Sequence, residues 1–149
     1  MAPNELRVRL LREGAVLPSR ATPLSAGYDL AALPEAGEMT LHPGERALIP
    51  TGLAVAPSRA DVALLIYIRS SLAVKAGVTC ANSVGVVDAD YRGELKVPLV
   101  NLGQEPFVIH AGDRIAQLVM TPVLTPDILL VEELPETERG PGGFGSTGR

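Results

Sequence analysis

In the stretch LRVRLL, residues 6–11, apolar and charged side chains alternate, with Leu6, Val8 and Leu10 on one face. A period of two is that of a strand with one buried side. ELKVPLVN, residues 94–101, repeats the pattern and turns Leu95, Val97 and Leu99 inward. VALLIYI, residues 62–68, is apolar on both faces and reads as a fully buried strand. PFVIH, RIAQLVMTPV and DILLVEEL continue the series, with turn sequences such as HPGE and HAGD between elements. Short strands at this spacing predict an all-β sandwich, jelly roll or barrel. Only SSLAVKAG, residues 70–77, reads as a helix, with Ser70 as its N-cap and Gly77 as its stop.

The last dozen residues, ERGPGGFGSTGR, carry five glycines and a proline after an acidic stretch. Such a segment cannot pack a core and reads as a flexible arm. With no internal repeat and no linker, the division is a β domain over 1–136 and an arm over 137–149.

Composition narrows the function classes. The 149 residues suffice for one ordinary domain, and the 3% aromatic content with no tryptophan makes the core aliphatic. A formal net charge of −4 argues against a nucleic acid polymer as partner. Eleven of the 13 basic residues are arginine, the side chain that grips phosphate with two prongs, so a small phosphorylated ligand fits better. No apolar run is long enough to cross a membrane, and the N-terminus lacks the apolar stretch of a signal peptide. One cysteine, Cys80, suits a reducing compartment, and the expected location is cytoplasmic.

Three stretches carry candidate chemistry. In YIRSSLAVKAG a buried strand feeds Arg69, Ser70 and Ser71 into a helix start, whose free amides and dipole favour phosphate. A capped helix with a solvent-facing arginine is the plain alternative. In RGPGGFGSTGR the glycines let main-chain N–H groups approach phosphate, Ser146 and Thr147 add hydroxyls, and Phe144 could stack on a base. A terminus without a fixed structure is the alternative there. In GVVDADYRG, Asp88 or Asp90 could activate water or help hold a metal, and the pattern does not rank them. Its plain alternative is a polar hairpin tip.

Five segments, in order, resemble the motifs of the trimeric dUTPases: SAGYDLAA at 25–32, RSSLAVKAG at 69–77, NSVGVVDADYRGELKV at 82–97, GDRIAQLV at 112–119 and RGPGGFGSTG at 139–148. The resemblance implies a jelly-roll-like subunit of β-clip type, a homotrimer with shared active sites, and Mg²⁺-assisted hydrolysis of dUTP to dUMP and pyrophosphate. That reaction keeps uracil out of DNA and supplies dUMP for dTMP synthesis. It implies Asp88 as the base that activates water, Tyr91 beneath the deoxyribose, and Asn82 with the main chain of Val86, Val87 and Lys96 on the uracil. It further implies Arg69, Ser70, Ser71 and Gln117 on the phosphates, with Arg139, Ser146 and Thr147 closing on the γ-phosphate and Phe144 covering the base. Asp29 would lie near the metal's water shell, the metal itself being held mainly by phosphates and waters. Many members have proline and glycine where this chain has Ile68 and Ser71, which leaves the part played by Ser71 open, and Asp90 receives no role. The RSSLA stretch is also similar to dCTP deaminases, and a non-catalytic dUTP-binding regulator is a third reading.

Overall fold

The computed structural model describes residues 4–143. Eleven strands and one helix are present among them: β1 (Leu6–Leu10), β2 (Tyr28–Ala31), β3 (Glu38–Leu41), β4 (Arg46–Pro50), β5 (Leu53–Pro57), β6 (Val62–Ile68), α1 (Ser70–Ala76), β7 (Val78–Cys80), β8 (Gly85–Asp88), β9 (Lys96–Asn101), β10 (Phe107–His110) and β11 (Arg114–Pro122). Every pairing between them is antiparallel. One sheet has the order β2-β11-β6-β8 and a second the order β4-β9-β7, while β1-β5 and β3-β10 form two-stranded ribbons. All four contribute to one aliphatic cluster that includes Leu30, Leu41, Ile49, Leu53, Leu64, Leu99, Ile109 and Leu118. The architecture is all-β and jelly-roll-like with one short helix, as the alternation predicts.

Inward positions follow the period of two. Leu95, Val97 and Leu99 are at most 1% exposed, and each such burial is worth about 2 kcal/mol. In β6, Val62, Ala63, Leu64 and Ile66 are buried, whereas Tyr67 reaches solvent, so one end of this strand is not covered on both faces. Leu10 is half exposed because β1 belongs only to a ribbon with β5. The buried Asn101 side chain is fully bonded, whereas the buried Arg12 Nε has no hydrogen-bond partner among the described residues. The Asn101 amide donates to the carbonyls of Leu41 and Glu105, each at 2.8 Å, and its oxygen accepts the Gly103 N–H at 2.9 Å.

Two expectations change. The helix N-cap is Arg69, in extended conformation and without a side-chain cap bond, and Ser70 is the first helical residue. The stop is as predicted: Gly77 has φ 68°, and a Cβ there would lie 2.7 Å from the Gly103 nitrogen. DILLVEEL is not a strand. The last strand ends at Pro122, and Ile128, Leu129 and Leu130 are almost fully exposed. A strand needs a neighbouring main chain to bond, and this segment meets none among the described residues of its own chain. No helix among the described residues is long and apolar enough to cross a membrane.

Candidate active site

β8 is the outermost strand of its sheet, bonded only to β6 with Asp88 opposite Ala63 and Val87 opposite Leu64. Its other edge presents main-chain N–H and C=O groups without a strand partner. Beyond Asp88 the chain turns, the Tyr91 N–H donating to the Asp88 carbonyl at 3.1 Å. Arg92 secures the turn by donating to the carbonyls of Ala89 (2.7 Å) and Tyr91 (2.8 Å). The chain then enters β9, which belongs to the other sheet. Two strands that leave one hairpin for different sheets must splay, and the space between them is a cavity of about 280 Å³. Val86, Val87, Asp88 and Tyr91 line one side, with Leu48, Glu94, Leu95 and Lys96 completing it. Its volume is at the small end of ligand cavities, roughly 300 to 1,000 Å³, and suits a nucleoside rather than a whole triphosphate.

Tyr91 is held at both ends. Its hydroxyl donates to the Glu94 carbonyl at 3.1 Å, and its ring lies over Gly93, where a Cβ would fall 2.3 Å from the phenol oxygen. Only glycine lets the ring lie there. Asp88, the last residue of β8, is exposed and borders both the cavity and a larger groove beside Arg59 and Arg92, whereas Asp90 lies in the turn and borders that groove. Of the two acids that the sequence pattern left unranked, Asp88 is the one that lines the cavity. Asn82 precedes β8, its amide beside Gly85.

A second cluster sits at the far end of β6. Arg69 follows that strand, and its Nε is 3.5 Å from Asp29 Oδ1. Arg114 Nη1 donates to Asp29 Oδ2 at 3.1 Å, and Arg69 Nη1 donates to the Arg114 carbonyl at 3.2 Å. One carboxylate therefore orients two guanidinium groups, leaving a local excess of positive charge suited to phosphate. In the sheet Gln117 stands opposite Asp29 on one side and Tyr67 on the other. Ser70 and Ser71 are exposed beside it at the start of α1. Both Asp29 oxygens face arginines, and no group of three or more His, Cys, Asp or Glu side chains among the described residues is arranged to hold a metal.

Arg114 and Glu94 were not singled out from the sequence. Positions 114 and 117 of a regular strand face opposite sides, so alternation gave no reason to group Arg114 with Gln117. A bulge between Arg114 and Ala116 shifts the register by one and brings Arg114 to Asp29. Arg139 stands in an exposed turn, its Nε donating to the Gly142 carbonyl at 3.0 Å. Phe144, Ser146 and Thr147 lie outside the described residues.

A model of the dUTPase family matches residues 13–148. The chain belongs to the dUTPase family. Among curated dUTPases, the deoxyuridine 5'-triphosphate nucleotidohydrolase of Desulfitobacterium hafniense is 52% identical over 132 residues, covering 89% of this chain and 87% of the relative. That of Maricaulis maris is 50% identical over 137 residues, covering 91% and 90%. A solved dUTPase of Staphylococcus bacteriophage 80alpha, with dUpNHpp, superposes with a TM-score of 0.88 at 30% identity, covering 99% of this chain and all of that one. The dUTPase of phage phi11 of S. aureus, whose structure concerns coordination of a structural Mg(II) ion, has a TM-score of 0.80 at 30% identity and covers 89% of this chain. The dUTPase match extends from before the first motif to the glycine-rich end, in keeping with the five-motif resemblance.

Proposed function

We propose that this chain hydrolyses dUTP to dUMP and pyrophosphate, with Asp88 directing a water at the α-phosphate. The observation that carries the reading is Asp88 and Tyr91 in one wall of a nucleoside-sized cavity whose far side is Lys96. Uracil offers an acceptor at O4 and a donor at N3, and cytosine reverses both. The main chain of Val86, Val87 and Lys96, with the Asn82 amide, is a rigid set of complementary partners for uracil. Cytosine would leave some of these unpaired, a penalty of orders of magnitude in rate. Tyr91, fixed by Glu94 and Gly93, stacks beneath the deoxyribose and leaves no room for a 2′-hydroxyl.

Arg69, Arg114 and Gln117 receive the phosphates, with the hydroxyls of Ser70 and Ser71 at the adjoining helix start. Their own chain's Asp88 is out of reach. From position 63, which pairs with Asp88, to position 69 the strand advances about 20 Å. A site containing both sets therefore joins two copies of the chain, which supports a homotrimer with shared active sites. The exposed apolar run at Ile128, Leu129 and Leu130 supports the same assembly, because it needs cover from another subunit. The arm, 137–149, closes each site, with Arg139, Ser146 and Thr147 at the γ-phosphate and Phe144 over the base.

Mg²⁺ fits this donor set as an ion carried by the triphosphate, since it prefers phosphate oxygens and water to a protein cage. When bound it offsets phosphate charge. Asp29 contributes by orienting Arg69 and Arg114, close to where the ion's water shell would lie. Phosphoryl transfer has a loose transition state, so positioning and charge do most of the catalysis. The reaction belongs in the cytoplasm, where dUTP removal keeps uracil out of DNA and dUMP feeds dTMP synthesis.

The test is pyrophosphate release from each deoxynucleoside triphosphate, with and without Mg²⁺. Release confined to dUTP and stimulated by Mg²⁺ is expected. Ammonia from dCTP, or tight dUTP binding without turnover, would overturn the reading in favour of a deaminase or a regulator.

A further inference from the structure

Glu94 is the point at which the nucleoside cavity is tied to the body of the domain. Its carbonyl is the acceptor for the Tyr91 hydroxyl. Its carboxylate Oε1 accepts the Gly52 N–H at 2.8 Å and stands 3.7 Å from Arg12 Nη2, while Oε2 stands 3.7 Å from Lys96 Nζ. Arg12 is itself anchored, donating from Nη2 to the Leu33 carbonyl at 2.5 Å. The Glu94 side chain is only 22% exposed, so its charge is partly shielded from solvent. On its other side lies a second cavity of about 340 Å³, bordered by Arg12, Met39, Leu48 and Lys96. Glu94, together with Leu48 and Lys96, borders both spaces. With open space on two sides, its side chain depends on its polar partners for its place.

We propose that Glu94 is a positioning residue for nucleoside discrimination: clamped by Arg12 and Gly52, it fixes the 94–96 segment so that the Tyr91 ring and the Lys96 main chain keep a set spacing from β8. This rests on reading that cavity as the nucleoside site. A charge-assisted bond from the Gly52 N–H and the nearby Arg12 guanidinium hold the carboxylate on that side. Without it the Gly52 N–H loses its acceptor, and Arg12 and Lys96 face each other as like charges. The segment then relaxes and carries the Tyr91 anchor with it. Displacements of about 1 Å at a substrate-positioning group are enough to change rates by up to about a hundredfold.

The test compares kcat/KM for dUTP and UTP in the full-length enzyme and in Glu94→Ala, Glu94→Gln and Arg12→Ala, each assayed well below its own thermal midpoint. Glu94→Ala is expected to lower the dUTP-to-UTP ratio about tenfold, a shift of the size that misplaced positioning groups produce. Glu94→Gln restores most of the ratio, because its amide oxygen still accepts the Gly52 N–H. Arg12→Ala leaves the Gly52 bond in place and lowers the ratio less than Glu94→Ala, and the double variant is no worse than Glu94→Ala, since the two act as one unit. A lowered Tm or a lowered rate with an unchanged ratio would reduce Glu94 to a structural part and overturn the inference. A wild-type chain inert towards dUTP would remove the cavity reading itself; an active wild type with an unshifted Glu94→Ala ratio removes only the role of Glu94.

Discussion

Asp88 and Arg69 stand at opposite ends of one strand: Asp88 pairs with Ala63 near the start of β6, and Arg69 follows Ile68 at its finish. The separation, about 20 Å along the strand, exceeds what one nucleotide's α-phosphate can bridge to both groups. If Asp88 is the base and Arg69 binds phosphate, as proposed, the two that serve one site come from different copies of the chain.

Mixing inactive chains checks this directly. Asp88→Asn and Arg69→Ala chains, each inert alone, are unfolded together and refolded as mixed assemblies. With random assortment, roughly a quarter of the sites combine an intact Asp88 with an intact Arg69 from its neighbour. Recovery of about that fraction of wild-type activity is expected. No recovery from assemblies demonstrably containing both chains would place the two residues in the same site by another route.

Asp88→Asn by itself separates chemistry from binding. Losing a general base costs about 10²- to 10⁴-fold in rate, while the cavity contacts to uracil and sugar remain. Calorimetry should find dUTP affinity within a few-fold of wild type. Full turnover by the variant would refute the assignment of the base.

Gly93→Ala moves the Tyr91 ring, the proposed sugar platform, without touching Asp88. The added methyl would fall 2.3 Å from the Tyr91 oxygen and 2.6 Å from Cζ, so the ring must swing away from Glu94. Activity on UTP relative to dUTP should rise, as it should for Tyr91→Ala. An unaltered ratio in both variants would mean the 2′-position is sensed elsewhere.

Cys80 reports on the core. It is 3% exposed, and burial pushes its thiol above the ordinary cysteine range. The reactive thiolate is therefore scarce at neutral pH in the folded state. A thiol reagent should leave the native protein unlabelled at pH 7 and label it once denaturant unfolds the β4-β9-β7 sheet. Rapid labelling of the native protein would contradict the packing around Val78 and Leu99.

Deleting residues 139–149 tests the arm. None of the strands lies beyond Pro122 among the described residues, so the assembly should survive by size measurement while turnover falls sharply. A truncated enzyme at full rate would show that the arm takes no part.

The sequence by itself determined which faces are buried and where the helix stops, and it showed the family resemblance that the dUTPase match bears out. Period-two alternation encodes burial, so Leu95, Val97 and Leu99 were legible as core; Gly77 was legible because a left-handed stop favours glycine. Alternation does not encode which strand lies beside which. For that reason DILLVEEL read as a strand although the described residues of its own chain offer it no partner, and Arg114 was hidden behind a bulge. Only the tertiary structure decided that β8 and β9 part into different sheets and open a cavity between them. It alone set Glu94 beside Arg12, a pairing across 82 positions of chain (94 − 12), and set Asp88 and Arg69 at opposite ends of β6. Contacts between residues far apart in the chain depend on how all the strands pack at once, which no local stretch of residues specifies.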